Sequence, residues 1–161
     1  MSVIKSIKGR QVFDSRGNPT VEAEIILQNG SIGTAIVPSG ASTGKYEAHE
    51  LRDKNKDYLN KGVYNAINNI NNKISKALIN KNSILQSEID ETLINLDGTE
   101  NKSNIGANAI LAASIANVKA AANFSKKEIY EYLNKNSKSL CMPYPLMNII
   151  NGGAHANNSL E

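Results

Sequence analysis

The apolar residues of this chain change their spacing once, and that change limits the folds it can adopt. Between residues 21 and 27 they occupy alternate positions, with Glu22 and Glu24 between them. This is the pattern of a β-strand with one solvated face. From residue 63 to residue 78 they recur at spacings of three and four, as on an amphipathic helix. Strands followed by helices, without alternation, predict an α+β domain.

Three strands are predicted before the change. The first lies around residues 3 to 13, and Asp14 to Pro19 forms the turn to the alternating segment. Asn29-Gly30 predicts a hairpin turn with positive φ at both central positions. Ile32 to Val37 then returns as the third strand and stops at Pro38. The expected sheet is a three-stranded antiparallel meander.

A helical bundle is predicted after the sheet. Beyond the stripe over residues 63 to 78, Ser83 and Gln86 resemble the capping box of a second helix, which ends at Asp97-Gly98-Thr99. Asn104 to Ala122 is rich in alanine and apolar nearly all round, which predicts a central buried helix. A shorter helix is expected over residues 126 to 135.

The predicted domain covers residues 1–138. Met142-Pro143-Tyr144-Pro145 indicates a stiff extended linker, because each proline disfavours helix in the residue before it. Leu146 to Ile150 is a continuous apolar run, which predicts a strand buried on both faces. Such a strand needs neighbours. Residues 139–161 are therefore interpreted as a linker and the first strand and loop of a second unit, cut off within it.

Composition and charge exclude several classes of protein. The net charge is +3, from 18 basic and 15 acidic residues spread along the chain, and no basic cluster interleaved with aromatics indicates nucleic acid. No apolar run could span a membrane, and the N-terminus lacks the apolar core of a signal peptide. The single Cys141 excludes an internal disulfide and fits a reducing compartment. His49 and His155 are too far apart in sequence to suggest a structural zinc site.

The segment from Val37 to Ala48 is the candidate binding loop. It contains two glycines and three hydroxyl residues, so backbone and hydroxyl oxygens can approach a cation or an anionic ligand. A flexible surface connection would have the same composition. A P-loop is excluded, because Gly44-Lys45 is followed by Tyr46 and the earlier glycine that the motif requires is Ser39.

Several segments together resemble the enolase family. They are Asp14 to Glu22, Pro38 to Gly44 with Glu47-Ala48 and Leu51-Arg52-Asp53, Gly106 to Leu111, and Asn148 to Ala156. They follow one another in unbroken order along the chain, which is far more specific than a single loop. The resemblance implies an N-terminal α+β domain followed by an α/β barrel that carries the active site. It also implies a reversible dehydration of 2-phospho-D-glycerate to phosphoenolpyruvate that uses two magnesium ions.

The resemblance also assigns roles to individual residues. Ser42 matches a loop serine that coordinates the second magnesium ion once substrate is bound, and hard oxygen ligands suit Mg²⁺. His155 matches a histidine beside the substrate. Without the resemblance, the ordinary interpretation would be a loop histidine whose hydrogen bonds are satisfied within the protein. Arg10 and Glu22 match positions of ion pairs between subunits, and would otherwise be solvated charges. The loop residues that would allow closure over substrate are Gly40, Ala41, Thr43 and Gly44.

The remaining catalytic groups of the family have no match in this sequence. The catalytic acid, the base lysine and the three carboxylates of the first magnesium lie further along the barrel, and Glu161 is not the family's glutamate. The expectation is the N-terminal part of a cytoplasmic glycolytic lyase that forms a homo-oligomer, a dimer or an octamer, and is inactive as 161 residues alone. Enolases as a group are also found on cell surfaces or as secreted proteins. The alternative is thus a non-catalytic binding module or pseudo-enzyme, which no sequence feature favours.

Overall fold

A computed structural model describes residues 1–40, 44–134 and 140–150. One antiparallel sheet is formed by β1, β2 and β3 in that order. The strands are Ile4–Phe13 (β1), Pro19–Leu27 (β2) and Ile32–Val37 (β3). The predicted three-stranded meander is therefore confirmed.

The turn between β2 and β3 differs from the prediction. Only Gly30 has a positive φ there, at +89°, and the expectation of a second positive φ at Asn29 is wrong. The Gly30 amide donates to the Leu27 carbonyl at 2.9 Å. The Asn29 side-chain oxygen accepts the Ser31 amide at 3.1 Å. This local hydrogen bond closes the turn, as asparagine commonly does, without a left-handed conformation at Asn29 itself.

The helices follow the sheet in the predicted order. The apolar stripe forms three consecutive helical segments: Tyr64–Asn69 (α1), a π-helical segment Ile70–Ile74, and Ser75–Leu78 (α2). Gln86–Asp97 (α3), Ala107–Phe124 (α4) and Ile129–Leu133 (α5) follow. A short 3₁₀ turn, Asp57–Asn60, precedes them. Within the described residues, no helix combines the length and apolar character needed to cross a membrane.

The helix α4 forms the centre of the core, as its alanine-rich sequence predicts. It packs on β2 and β3. Its fully buried alanines include 109, 112, 113, 116 and 120. Small side chains allow the helix backbone to approach the sheet closely. The approach is closest at Gly33 of β3, where an added Cβ would lie 2.1 Å from the Ala116 carbonyl oxygen.

The free edge of β1 is covered at one point by a side chain of the π-helical segment. The Gly9 amide donates to Asn71 Oδ1 at 2.8 Å, and Asn71 Nδ2 donates to the Gly9 carbonyl at 3.2 Å. The asparagine amide thus takes the place of a neighbouring strand. Edge strands need such cover, because their unpaired amides and carbonyls otherwise invite association with other chains.

The predicted capping box at the start of α3 is wrong. No side chain caps this helix, and Ser83 is buried. The Ser83 hydroxyl donates to the Asn117 carbonyl at 3.5 Å, and Gln86 Oε1 accepts from Asn117 Nδ2 at 2.7 Å. Both side chains are therefore turned toward α4 and away from the end of α3. The predicted end of α3 is confirmed, since Gly98 adopts a left-handed conformation there.

The segment after the helices contains neither helix nor strand over residues 140–150. Its apolar side chains are solvent-exposed, and Leu146 is 100% exposed. Among the described residues, none pairs with residues 146–150, and no strand is present there. That residues 146–150 form a strand within a larger sheet stays a prediction.

Candidate functional site

A polar cleft lies where the β1–β2 turn, the residues after β3 and the segment before α1 meet. Its volume is about 350 Å³. It is lined by Asp14, Arg16, Asn18, Ser39, Gly40, Glu50, Arg52 and Lys61. The start of the candidate binding loop therefore forms one wall of this cleft.

The predicted loop residues divide between the described and the undescribed parts of the chain. Gly40 lines the polar cleft, and Gly44 lies on an adjoining one together with Glu47 and His49. The positions that fall outside the described residues are Ala41, Ser42, Thr43 and His155. Their roles in metal and substrate binding stay predictions.

The start of the loop is held by a guanidinium group. Arg52 Nη2 donates to the Ser39 hydroxyl and lies 2.8 Å from Glu50 Oε1. The Ser39 hydroxyl in turn donates to the same Glu50 oxygen at 2.5 Å. Hydrogen bonds in which the donor or the acceptor is charged are about twice as strong as neutral ones. Ser39 is thus held from two sides.

The exit of the loop is held by backbone hydrogen bonds. The Gly44 amide donates to Glu47 Oε2 at 2.8 Å. The His49 amide donates to the Asn101 carbonyl at 2.6 Å, and the His49 carbonyl accepts the Ala107 amide at 2.8 Å. The contribution of His49 is therefore made by its backbone, which joins the loop exit to the start of α4.

The residues Leu51 and Asp53 connect the same segment to two helices. The buried Asn108 of α4 accepts the Leu51 amide at 3.2 Å and donates to the Leu51 carbonyl at 3.1 Å. Asp53, which is 4% exposed, accepts the amides of Tyr64 and Asn65 at 2.7 and 3.0 Å. It caps α1, although it is eleven positions from the start of that helix. A carboxylate there also complements the positive end of the helix dipole.

The turn that forms the other wall of the cleft is closed by an acidic side chain. Asp14 Oδ1 accepts the Asn18 amide at 2.8 Å and the Arg16 amide at 2.9 Å. The Asn18 amide is the main cause of the lowered pKa of Asp14, and the Arg16 amide acts in the same direction. These two hydrogen bonds therefore stabilise the turn at any pH at which the Asp14 carboxyl is ionised.

The side chains of Arg10 and Glu22 are paired within the chain. The two residues lie opposite each other on β1 and β2 and form an ion pair. Arg10 Nη2 also lies 2.7 Å from Glu24 Oε1. The hydrogen bonds with Glu24 and then with Glu22 raise the pKa of Arg10. The role of Arg10 and Glu22 between subunits stays a prediction.

The implied magnesium does not fit the described residues by themselves. In residues 1–40, 44–134 and 140–150, no three His, Cys, Asp or Glu side chains are grouped so that they could hold a metal ion. Ser42 is the one metal ligand that the resemblance assigns to this chain, and it lies outside those ranges. We therefore derive no reaction step through the ion.

Sequence reasoning missed the residues that hold the loop in place. Arg52 was noted only as part of a motif, and Glu50 and Asn108 were not singled out. The Ser39–Glu50 and Leu51–Asn108 bonds join residues that are 11 and 57 positions apart, so hydrophobic periodicity carries no signal for them. The signal available was the compact Leu51-Arg52-Asp53 motif, in which each residue contacts a different element.

The fold and the site define an α+β domain that presents an anchored glycine- and hydroxyl-rich loop at one end of its sheet. A family model described as "Enolase, N-terminal domain" matches residues 4–133. The chain therefore belongs to the enolase family, and the sheet with its helices is the N-terminal domain of that family.

Proposed function

We propose that this chain is the N-terminal part of an enolase that reversibly dehydrates 2-phospho-D-glycerate to phosphoenolpyruvate in glycolysis, with Mg²⁺ as cofactor. The observation that carries the proposal is the family match over residues 4–133. The loop with anchored ends supports it, because a loop that closes over a substrate needs fixed points from which to move.

In this proposal the loop contributes a ligand and a cover. Ser42 would offer its oxygen to the second magnesium ion, and Gly40, Ala41, Thr43 and Gly44 would allow the backbone around it to close. His155 would lie beside the substrate and orient it. Because the described residues form no metal site by themselves, the other ligands would come from the barrel that the resemblance implies.

We also propose a homo-oligomer in the cytoplasm. The sheet face that carries Arg10 and Glu22 also carries the half-exposed Ile36, so charged and apolar groups are available there for a second subunit. The cytoplasmic location is proposed because the reaction is glycolytic. A cell-surface or secreted population is an analogy with the family.

The function is tested by an assay of phosphoenolpyruvate formation. We expect turnover from the full-length enzyme that contains this chain, and loss of that turnover on chelation of divalent cations. We expect none from the 161 residues alone, because the sequence has no match to the family's catalytic acid, base lysine or carboxylate ligands. Both proteins should be purified from a host whose own enolase is removed. An inactive full-length protein would favour the pseudo-enzyme or binding-module alternative.

We further propose that the domain covers residues 1–138 and that residues 139–161 belong to a second unit. Limited digestion of the 161-residue chain with chymotrypsin is expected to cut near Pro143 before it cuts within α3 or α4. The exposed Leu140 and Leu146 are the expected sites, because bonds that precede proline resist the protease. Mass spectrometry of the first fragments would locate the cut. A first cleavage inside the helices would contradict this boundary.

A further inference from the structure

The strand β3 lies at one edge of the described sheet and carries no charge of its own. It follows β2 in the sheet order and is the last strand on that side. No charged residue occurs in the sequence between Glu24 and Lys45, which includes all of Ile32–Val37. Short uncharged segments with high β-propensity and no proline are the ones that pair with strands of other chains. An edge strand of this composition therefore needs cover.

The pairing of β2 with β3 determines which backbone groups of β3 face outward. The Leu27 amide donates to the Ser31 carbonyl at 2.9 Å. In an antiparallel ladder, hydrogen-bonded pairs alternate with pairs that are not hydrogen-bonded. In this register the unbonded positions of β3 are Ile32, Thr34 and Ile36. Their amides and carbonyls therefore point away from β2, toward the side on which another strand could bind them.

Two of these outward carbonyls are bound by side chains of α4. Lys119 Nζ donates to the Thr34 carbonyl at 2.9 Å, and Asn123 Nδ2 donates to the Ile32 carbonyl at 2.6 Å. The donors are four helix residues apart, which is an advance of about 6 Å. The acceptors are two strand residues apart, which is an advance of about 6.8 Å. Because these two repeats nearly match, one side of the helix can bind successive outward carbonyls of the strand.

We propose that Lys119 and Asn123 close the outer edge of β3 against strand addition by another copy of this chain. An incoming strand needs the outward carbonyls as acceptors, so it would have to displace both side chains. Displacing Lys119 would break a hydrogen bond from a charged donor, and such bonds are the stronger ones. Lys119 also places a positive charge beside a strand that has none, which opposes the approach of a second such edge. This inference does not depend on the proposed reaction.

Sedimentation velocity of the 161-residue chain over a range of concentrations is the first measurement. We expect the double variant Lys119→Met, Asn123→Ala to form larger assemblies than the wild type at the same concentration. Each single variant keeps one bond, so it should need about tenfold more protein to reach the same associated fraction. Lys119→Arg keeps a charged donor and should resemble the wild type. Lys127→Met is the matched control, because Lys127 is exposed beyond the end of α4 and its loss removes the same charge without breaking either bond to β3.

Hydrogen exchange followed by NMR shows whether β3 is the surface that associates. In assemblies of the double variant, the outward amides of Thr34 and Ile36 should exchange about tenfold slower than in the unassociated chain, while amides in α4 keep their wild-type rates.

A rescue variant completes the test. Thr34 lies opposite Glu24, so Thr34→Lys in the double variant adds a charge to the strand and should restore the wild-type mass. An unchanged mass of the double variant would overturn the proposal. Association that leaves the Thr34 and Ile36 amides unprotected, or that persists with Thr34→Lys, would also overturn it. Asn123 is exposed near the end of α4, so Asn123→Ala remains informative if a Lys119 variant fails to fold.

Discussion

Replacement of Gly33 by alanine is expected to lower the free energy of unfolding by about 3 kcal/mol, the upper part of the usual range for an overpacked core. The added Cβ would lie 2.1 Å from the Ala116 carbonyl oxygen and 2.3 Å from the Ala120 amide nitrogen. Both atoms belong to the backbone of α4, so no side-chain rotation can relieve the clash. The helix would have to move away from β3 as a whole, and its buried alanines would lose their contacts with the sheet.

Urea unfolding at neutral pH, followed by circular dichroism, measures this effect. Gly44→Ala is the matched control, because its new Cβ would find Glu47 Oε2 at 4.0 Å as its nearest neighbour. That variant should unfold within about 0.5 kcal/mol of the wild type, as surface substitutions usually do. Equal stability of the two variants would mean that α4 does not rest directly on β3.

Replacement of Asp97 by asparagine is expected to cost about 3 kcal/mol at neutral pH, because hydrogen bonds to a buried charged group are the strong ones. Asp97 is 2% exposed at the end of α3. Its carboxylate accepts the amides of Thr99 and Asn104, each at 3.0 Å, and of Ile105 at 2.7 Å, together with the Thr99 hydroxyl. An asparagine amide would place an N–H group against some of these donors.

The same carboxylate predicts a dependence of stability on pH. Burial raises the pKa of Asp97, but the hydrogen bonds from Thr99, Ile105 and Asn104 lower it more, so the pKa lies below its ordinary value of 3.8. The folded protein therefore holds this proton less tightly than the unfolded chain. The stabilisation is complete above about pH 4 and is lost as the pH falls through the lowered pKa.

The difference in unfolding free energy between wild type and Asp97→Asn should therefore be at its full size at pH 6 and should shrink as the pH falls below about 4 toward pH 3. Urea unfolding at several pH values in this range measures it, and subtraction of the variant removes the contribution of the other carboxyl groups. Glu91→Gln is the control, since Glu91 is exposed on the same helix and its side chain makes no hydrogen bond within the described ranges. A difference that stays constant down to pH 3 would show that Asp97 does not titrate as proposed.

Most of the secondary structure could be predicted from the sequence, because its signals act over a few residues. The bounds of β3, Ile32–Val37, agree with the prediction, since a glycine turn and a proline delimit the strand. The end of α3 at Gly98 was predicted for a similar local reason. The loop from Val37 to Ala48 was recognisable by its glycines and hydroxyls, and the resemblance to enolases supplied its expected chemistry.

The predictions that failed concern side chains with more than one available partner. Ser83 and Gln86 have the spacing of a capping box, but the buried Asn117 lies 34 positions from Ser83 and binds both. Asn29 could adopt a left-handed conformation, yet its side chain closes the turn by a hydrogen bond to Ser31. Local spacing indicates which bonds are possible, and packing selects among them.

The sequence by itself determined the order of strands and helices, the position of the loop and the family. The signals for these features are the hydrophobic period, the turn residues and the order of the motifs, and each can be recognised in residues that are close together in the sequence. Only the tertiary structure decided what holds the loop. Arg52 meets Pro19 from 33 positions away, and Asp53 caps a helix that starts eleven positions later. These contacts exist because the sheet and α4 bring distant segments of the chain together. Partners that are so far apart in sequence are determined by tertiary packing, and the neighbouring residues in the sequence carry no signal for them.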